Sequence, residues 1–320
     1  MDIVKKDNSN IKVIRVVSCT MIILTHFGSA LFPISFLSTF FTYCAEGVRA
    51  FFILSGYLMC FSNELRQGHI IAYYRKRFRR ILPIYLFVVG VFIVLGLVQL
   101  VPWPADNTGL YWLRYFFFLS TFVPANDIYW TNLAMTWTVS YFLFFYLVAP
   151  IVYKYVNSYT KAWIALLLSM ICSKLIPDGF LGPVTGLYAF LLGVMIFHAI
   201  KEDKEYSSLV ISGIIAFGFY IYGVAYPYGD SFLISIIILC VLKIQISFKF
   251  PIIGTLIDFI DKHSYSIYLM QGLVITVSLS CLGGMKTAKS ALIMLAETIA
   301  LAVLFDKIEN IIISLGKNNV

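Results

Sequence analysis

The chain has 320 residues, of which 60% are hydrophobic and 12% charged, against about 45–50% and 25% in soluble domains. Apolar runs of membrane length recur from end to end, which excludes a soluble or disordered chain; residues 1–320 read as a single all-α domain of a polytopic integral membrane protein. The net charge of +8 reads as the positive-inside bias of such a protein, with membrane lipid and not nucleic acid as its partner.

Ten spans are expected, over about 11–32, 40–62, 81–101, 133–153, 162–177, 182–200, 208–226, 231–248, 264–282 and 289–309. The first, IKVIRVVSCTMIILTHFG, carries Arg15 and His26 and has no small-residue cleavage site, so it reads as a retained span and not a signal peptide. Eleven helical steps of about 100° bring Arg15 and His26 back to one face, roughly 16 Å apart along the axis. Ionisable groups inside a bilayer face a bundle interior or cavity. A neutral imidazole there can take a proton from an attacking hydroxyl; the plainer reading is a histidine hydrogen-bonded to a neighbouring helix.

The second span reads TYCAEGVRAFFILSGYLMCF. Glu46 and Arg49 are three residues apart and neighbour each other on a helix, at a depth like that of His26. Either they neutralise each other as an intramembrane ion pair, or Glu46 orients the imidazole while Arg49 holds a polar or anionic substrate group. Ser55-Gly56 is a small pair of the kind that marks close helix packing. The following loop, 63–80, ends in a dense cationic cluster, Arg75, Lys76, Arg77, Arg79 and Arg80. It reads either as a positive-inside cluster touching anionic lipid or as a site for a phosphorylated ligand, with Arg77 and Arg80 pointing together. Pro83 is expected within the first turn of the third span, where a missing N–H costs little.

The stretch 110–123 is apolar but too short to span and reads as re-entrant or interfacial. Trp137 stands at the outer end of the fourth span, either in the aromatic belt or as a platform for a sugar ring. In DKHSYSIYLMQ, residues 261–271, Tyr265, Tyr268 and Gln271 share a face, packing or lining a cavity, while Lys262 and His263 are expected to be solvated at the membrane edge. The six cysteines, Cys19, Cys44, Cys60, Cys172, Cys240 and Cys281, lack a CxxC pair and read as packing residues and not as a disulfide frame or metal site.

Charge placement orients the spans. With the N-terminus and its Lys5, Lys6 and Lys12 inside, the 63–80 cluster, Lys154, Lys161, Lys201, Lys204, Lys249 and Lys262 also fall inside. Only Arg114, Lys174, Lys286 and Lys289 fall outside, so both termini are expected in the cytoplasm. No internal repeat is visible, which disfavours transporter folds built on inverted repeats.

These segments together resemble the acyltransferase-3 family of membrane-bound O-acyltransferases, over about residues 11–271. Arg15 to His26 is similar to the family's arginine, ten residues, histidine pattern. FFILSGYL (51–58) resembles its FFxxSGF/YL segment, and RFRRILPIY (77–85) its RxxR-I-x-P-x-Y element. Trp137 through Tyr146 to Pro150 resembles its tryptophan-to-proline segment, and SYSIYLMQ (264–271) its SYxIYLxH segment. The chain departs from that pattern at Phe142, where an acidic residue often stands, at Gln271 in place of the late histidine, and at Arg49, where many members have Asp or Pro. Glu46 is then the candidate partner for His26.

The resemblance implies a bacterial cytoplasmic-membrane enzyme with no permanently bound cofactor. Acyl-CoA, acetyl-CoA first among donors, would acylate a hydroxyl of a cell-surface polysaccharide or lipid-linked glycan. Under it, Arg77 and Arg80 dock the phosphates, the pantetheine arm passes Arg15, and His26 either deprotonates the hydroxyl or carries the acyl group itself. Arg49, Trp137, Tyr265 and Tyr268 would contact substrate. Two other classes compete: an exporter of glycans or lipid-linked sugars, and a catalytically idle membrane partner in a glycan-synthesis complex.

Overall fold

The computed structural model describes residues 8–101, 111–122, 131–177, 181–244, 246, 251–282 and 287–318; among them there is no β-strand. The helices, in chain order, are α1 (Asn8–Leu31), α2 (Ser35–Tyr43), α3 (Gly47–Met59), α4 (Asn63–Arg66), α5 (Ile70–Leu97), α6 (Tyr111–Phe116) and α7 (Trp137–Tyr155). They continue with α8 (Tyr159–Leu175), α9 (Gly182–Thr185), α10 (Leu187–Lys201), α11 (Glu205–Ile221), α12 (Asp230–Lys243), α13 (Pro251–Leu282) and α14 (Ala288–Asn318). Of the charges used to orient the chain, Lys5, Lys6, Lys249 and Lys286 lie outside the described residues, as do positions 110 and 123.

Seven of the described helices or helical runs are long and apolar enough to cross a membrane: α1, Ser35–Arg66, α5, α7, Gly182–Lys201, Tyr226–Lys243 and Ala288–Ser314. Ten spans were expected. Two of the remaining three fall on α8 and α11, each of 17 residues, about 26 Å by helical rise against roughly 30 Å of hydrocarbon. The third falls on α13, whose first turns carry Asp258, Asp261 and Lys262. The outward face of the bundle is apolar: Ile164, Leu168, Ile171 and Leu175 of α8 are all exposed at helical spacing. Such a stripe suits lipid and not water.

Several boundaries differ from expectation. The second span is not one helix, because a 3-10 turn at Cys44–Glu46 separates α2 from α3. α5 starts eleven residues before the expected 81, directly after Gly68, which turns the chain at φ 74°. The cationic cluster therefore sits on helix and not in a loop, and Pro83 lies in the helix interior, where it has no N–H for the Arg79 carbonyl. α13 likewise starts at Pro251 and not 264, since proline is pre-organised for a first helical position. His263 consequently lies inside the bundle at 5% exposure and is not solvated. It hydrogen-bonds Asp306 of α14, which also accepts from the Ser266 hydroxyl, so one carboxylate ties α13 to α14. Cys19 and Cys44 are buried, but Cys172 and Cys240 are exposed and do not pack inside.

Two close approaches fix α3. A Cβ on Gly56 would overlap the carbonyl oxygen of Phe190 in α10, and one on Gly193 of α10 would overlap that of Ile53. The two backbones meet through a pair of glycines, as the Ser55-Gly56 pair suggested. On the other side, a Cβ on Gly47 would overlap the carbonyl oxygen of Ser18 in α1. α3 is thus clamped between α1 and α10, which sets Val48 beside the Arg15–His26 face.

Candidate active site

Three neighbouring cavities border α3, two of them also bordered by α1. The first, of about 90 Å³, is lined by Arg15 and Ile22 of α1, Val48 of α3, Arg77 and Arg80 of α5, Phe142 and Tyr146 of α7, and Tyr265 and Tyr268 of α13, among others. The second, of about 220 Å³, holds His26 with Ile22, Thr25, Ala45, Val48, Met135, Trp137 and Tyr268. The third, of about 700 Å³, is lined by Glu46, Arg49, Trp137, Tyr188, Tyr226 and Asp230, among others. Neighbouring cavities share walls. Ile22, Val48 and Tyr268 border both the first and the second; Ala45, Val48 and Trp137 border both the second and the third. His26 therefore lies between the arginine cavity and the large one. The predicted common face of Arg15 and His26 is borne out, with Ile22 on the same stripe between them.

At the Arg15 end the guanidinium is already partnered. Its Nε lies 3.0 Å from Asp261 Oδ1 of α13, with side chains 18% and 13% exposed. The pair is close but not aligned as a hydrogen bond, since neither atom has a hydrogen-bond partner. The pairing follows from α1 and α13 running side by side in parallel: Arg15 meets Asp261, and four residues on the Cys19 thiol reaches the Ser264 carbonyl at 3.7 Å. Asp261 heads the DKHSYSIYLMQ segment, and an acid there, level with Arg15, was the signal for it.

Arg77 rests on two tyrosine faces, 5.4 Å from the Tyr73 ring centroid and 5.2 Å from that of Tyr146. Its buried Nε has no hydrogen-bond partner, so the stacked guanidinium keeps an unused donor, and the residue lines the first cavity. Arg80 lines the same cavity and is exposed. Tyr265 donates to the Ile81 carbonyl at 3.4 Å. Tyr268 accepts from Thr138 Oγ1 at 2.9 Å and donates to the Met135 carbonyl at 2.7 Å, which fixes its ring between the first two cavities. Gln271 does not continue that lining: it is fully buried, borders none of the three cavities, and neither amide atom has a partner.

Glu46 and Arg49 form the ion pair that their spacing allowed, Arg49 donating to Glu46 Oε1. Glu46 thus engages Arg49, and no hydrogen bond joins it to His26. Its second oxygen, Oε2, is buried with no partner. Arg49 also lies 4.4 Å from the centroid of the Tyr226 ring. Across the same cavity Lys174 sits 5.1 Å from the centroid of Tyr228, and Tyr220 donates to Asp230. Trp137 stands edge-on to Tyr141 and Phe52 and walls both upper cavities. Tyr188, Tyr226, Tyr228, Lys174 and Asp230 escaped sequence reasoning, because they come from three further parts of the chain. Phe142, at the position where an acid was missing, packs edge-on against Phe52 and gives the first cavity an apolar wall. Among the described residues no group of His, Cys, Asp or Glu is arranged to hold a metal ion.

Residues 8–306 match the model of a family described as an acyltransferase domain. The chain belongs to the acyltransferase-3 family. A protein described as exopolysaccharide production protein ExoZ, of Rhizobium meliloti (strain 1021), is 32% identical over 108 residues. That match covers 34% of the acyltransferase-3 chain and 34% of ExoZ, about a third of each. No solved structure matches. In family terms, the matched segment of 8–306 contains all three cavities and every candidate site residue.

Proposed function

We propose that this protein is a membrane-bound O-acyltransferase of the bacterial cytoplasmic membrane. It moves an acyl group, acetyl in the simplest case, from cytoplasmic acyl-CoA to a hydroxyl of a cell-surface polysaccharide or lipid-linked glycan. The observation that carries this reading is the serial order of the cavities. Three arginines and no carboxylate line one end, aromatic rings with both carboxylates and cations line the other, and His26 is in the chamber between.

In this reading Arg77 and Arg80 hold the phosphates of the donor, for which a guanidinium fork suits better than an ammonium. The apolar walls of the first cavity take the thioester arm. The third cavity takes the acceptor: rings of Trp137 and Tyr226 offer stacking faces, and Glu46 Oε2 offers a free acceptor for a sugar hydroxyl. His26 has no hydrogen-bond partner among the described residues, which suits a group that must receive one from substrate. The acceptor oxygen attacks the thioester carbonyl and its proton passes to His26. The C–S bond then breaks, and the sulfur takes that proton as the coenzyme A thiol leaves. The ester stays on the glycan. The positive-inside rule, applied to the α5 cations, supports a donor end on the cytoplasmic side, and the ExoZ similarity supports a polysaccharide as acceptor.

The test compares glycan from cells with and without the protein by mass spectrometry. A gain of one acyl mass per modified repeat is expected. Unchanged glycan masses, with substrate translocation lost in the absence of the protein, would instead mark an exporter.

A further inference from the structure

We infer that Val48, with Ile22, forms a rigid collar that sets which acyl groups can reach His26. The inference rests on the proposed acyl transfer. In that reaction the phosphates stay at Arg77 and Arg80, and only the acyl end of the donor enters the His26 chamber. There the thioester C–S bond breaks, the C–O bond to the acceptor forms, and the acceptor's proton passes through His26 to the departing thiol.

Ile22, Val48 and Tyr268 are the residues common to the arginine cavity and the His26 chamber, so they form the shared wall that an acyl group moving from one to the other has to pass. Each is held in place. Tyr268 is fixed by its two hydrogen bonds, to Thr138 and to the Met135 carbonyl. Val48 is β-branched on a helix, where one χ1 rotamer dominates. Its neighbour Gly47 lets α3 seat directly against the Ser18 carbonyl of α1, so the wall that bears Val48 packs close beside the wall that bears Ile22. The collar stands between a cavity of about 90 Å³ and one of about 220 Å³. A passage of that build discriminates by length: a short acyl group clears it, and each added methylene meets a wall that does not yield. Val48 also borders the third cavity, so its size acts where donor and acceptor meet.

The experiment uses the full chain in lipid nanodiscs, with acetyl-, propionyl- and butyryl-CoA offered separately together with an acceptor glycan from the producing cells. Acyl ester formed is read by mass spectrometry. The wild type is expected to prefer acetyl. Val48→Ala is expected to raise the ratio of butyryl to acetyl transfer about tenfold, the discrimination that one methylene commands in an apolar pocket. Val48→Leu is expected to lower the propionyl-to-acetyl ratio. Ile22→Val, the mildest change on the facing wall, is expected to move the ratio in the same direction as Val48→Ala and stands in for it should that variant fail to insert. Acyl transfer that persists with the same length preference in Val48→Ala and Ile22→Val overturns the collar and leaves the acyltransferase reading intact. A wild type that forms no ester from any of the three donors overturns the acyltransferase reading itself, and the collar with it.

Discussion

Arg15 and Asp261 face each other at 3.0 Å from helices that run in parallel, α1 and α13, and Arg15 also lines the arginine cavity. The cation that opened the case for a functional α1 is therefore half of an interhelical pair. Removing one partner of a mostly buried pair strands a charge and costs about 3–5 kcal/mol, whereas replacing both with apolar residues is often neutral. Asp261→Ala is expected to lower the unfolding temperature clearly in detergent, and Arg15→Met with Asp261→Leu to restore most of it. Donor binding should remain weak in the double variant, seen as a raised KM for acyl-CoA. Full recovery of KM along with stability would reduce the pair to a structural tie.

Arg77 stacks on Tyr73 and Tyr146 and keeps a free donor. Arg77→Ala should raise KM for acyl-CoA by about tenfold or more, in line with the loss of one or two charge-assisted hydrogen bonds. It should leave acyl-pantetheine, which lacks the nucleotide phosphates, nearly unaffected. Arg77→Lys should not rescue it, because an ammonium neither forks nor stacks in the same way. Equal losses with both donors would place Arg77 in folding and not in phosphate recognition.

Glu46 and Arg49 act as a unit at the acceptor cavity. Glu46→Gln and Arg49→Gln should each raise KM for the glycan while leaving that for acyl-CoA unchanged. The double variant should lose less than the sum of the two, since residues in direct contact do not add. An additive loss, or one confined to the donor, would count against this placement.

Gly56 and Gly193 let α3 and α10 touch backbone to backbone. Gly56→Ala should cost more than the usual 1–3 kcal/mol of overpacking, because the obstacle is a carbonyl in a helix and not a flexible side chain. The measurement is thermal unfolding in detergent, and a shift no larger than that of a surface alanine substitution would refute the contact.

What was legible in the sequence follows from periodicity. Arg15, Ile22 and His26 fall on one stripe because a helix repeats every 3.6 residues, and Glu46 with Arg49 fall together for the same reason. Apolar length located most of the spanning helices but misled at their ends. The α5 cations looked like a loop because they are polar, yet no breaker separates Ile70 from Arg80, and the helix simply extends beyond its apolar part. The same logic hid the first turns of α13, and with them Asp261 and the burial of His263. The acceptor cavity was least legible. Lys174, Tyr188, Tyr226 and Asp230 are brought together by tertiary packing, which no local pattern encodes.

The central claim is that His26 handles the proton of the acceptor hydroxyl. The most direct measurement is the mass of surface glycan from cells that lack this protein and are complemented with either the wild type or His26→Ala, at matched amounts in the membrane. Wild type should restore one acyl mass per modified repeat, and His26→Ala should restore none. Glycan acylated by His26→Ala at the wild-type level would contradict the claim.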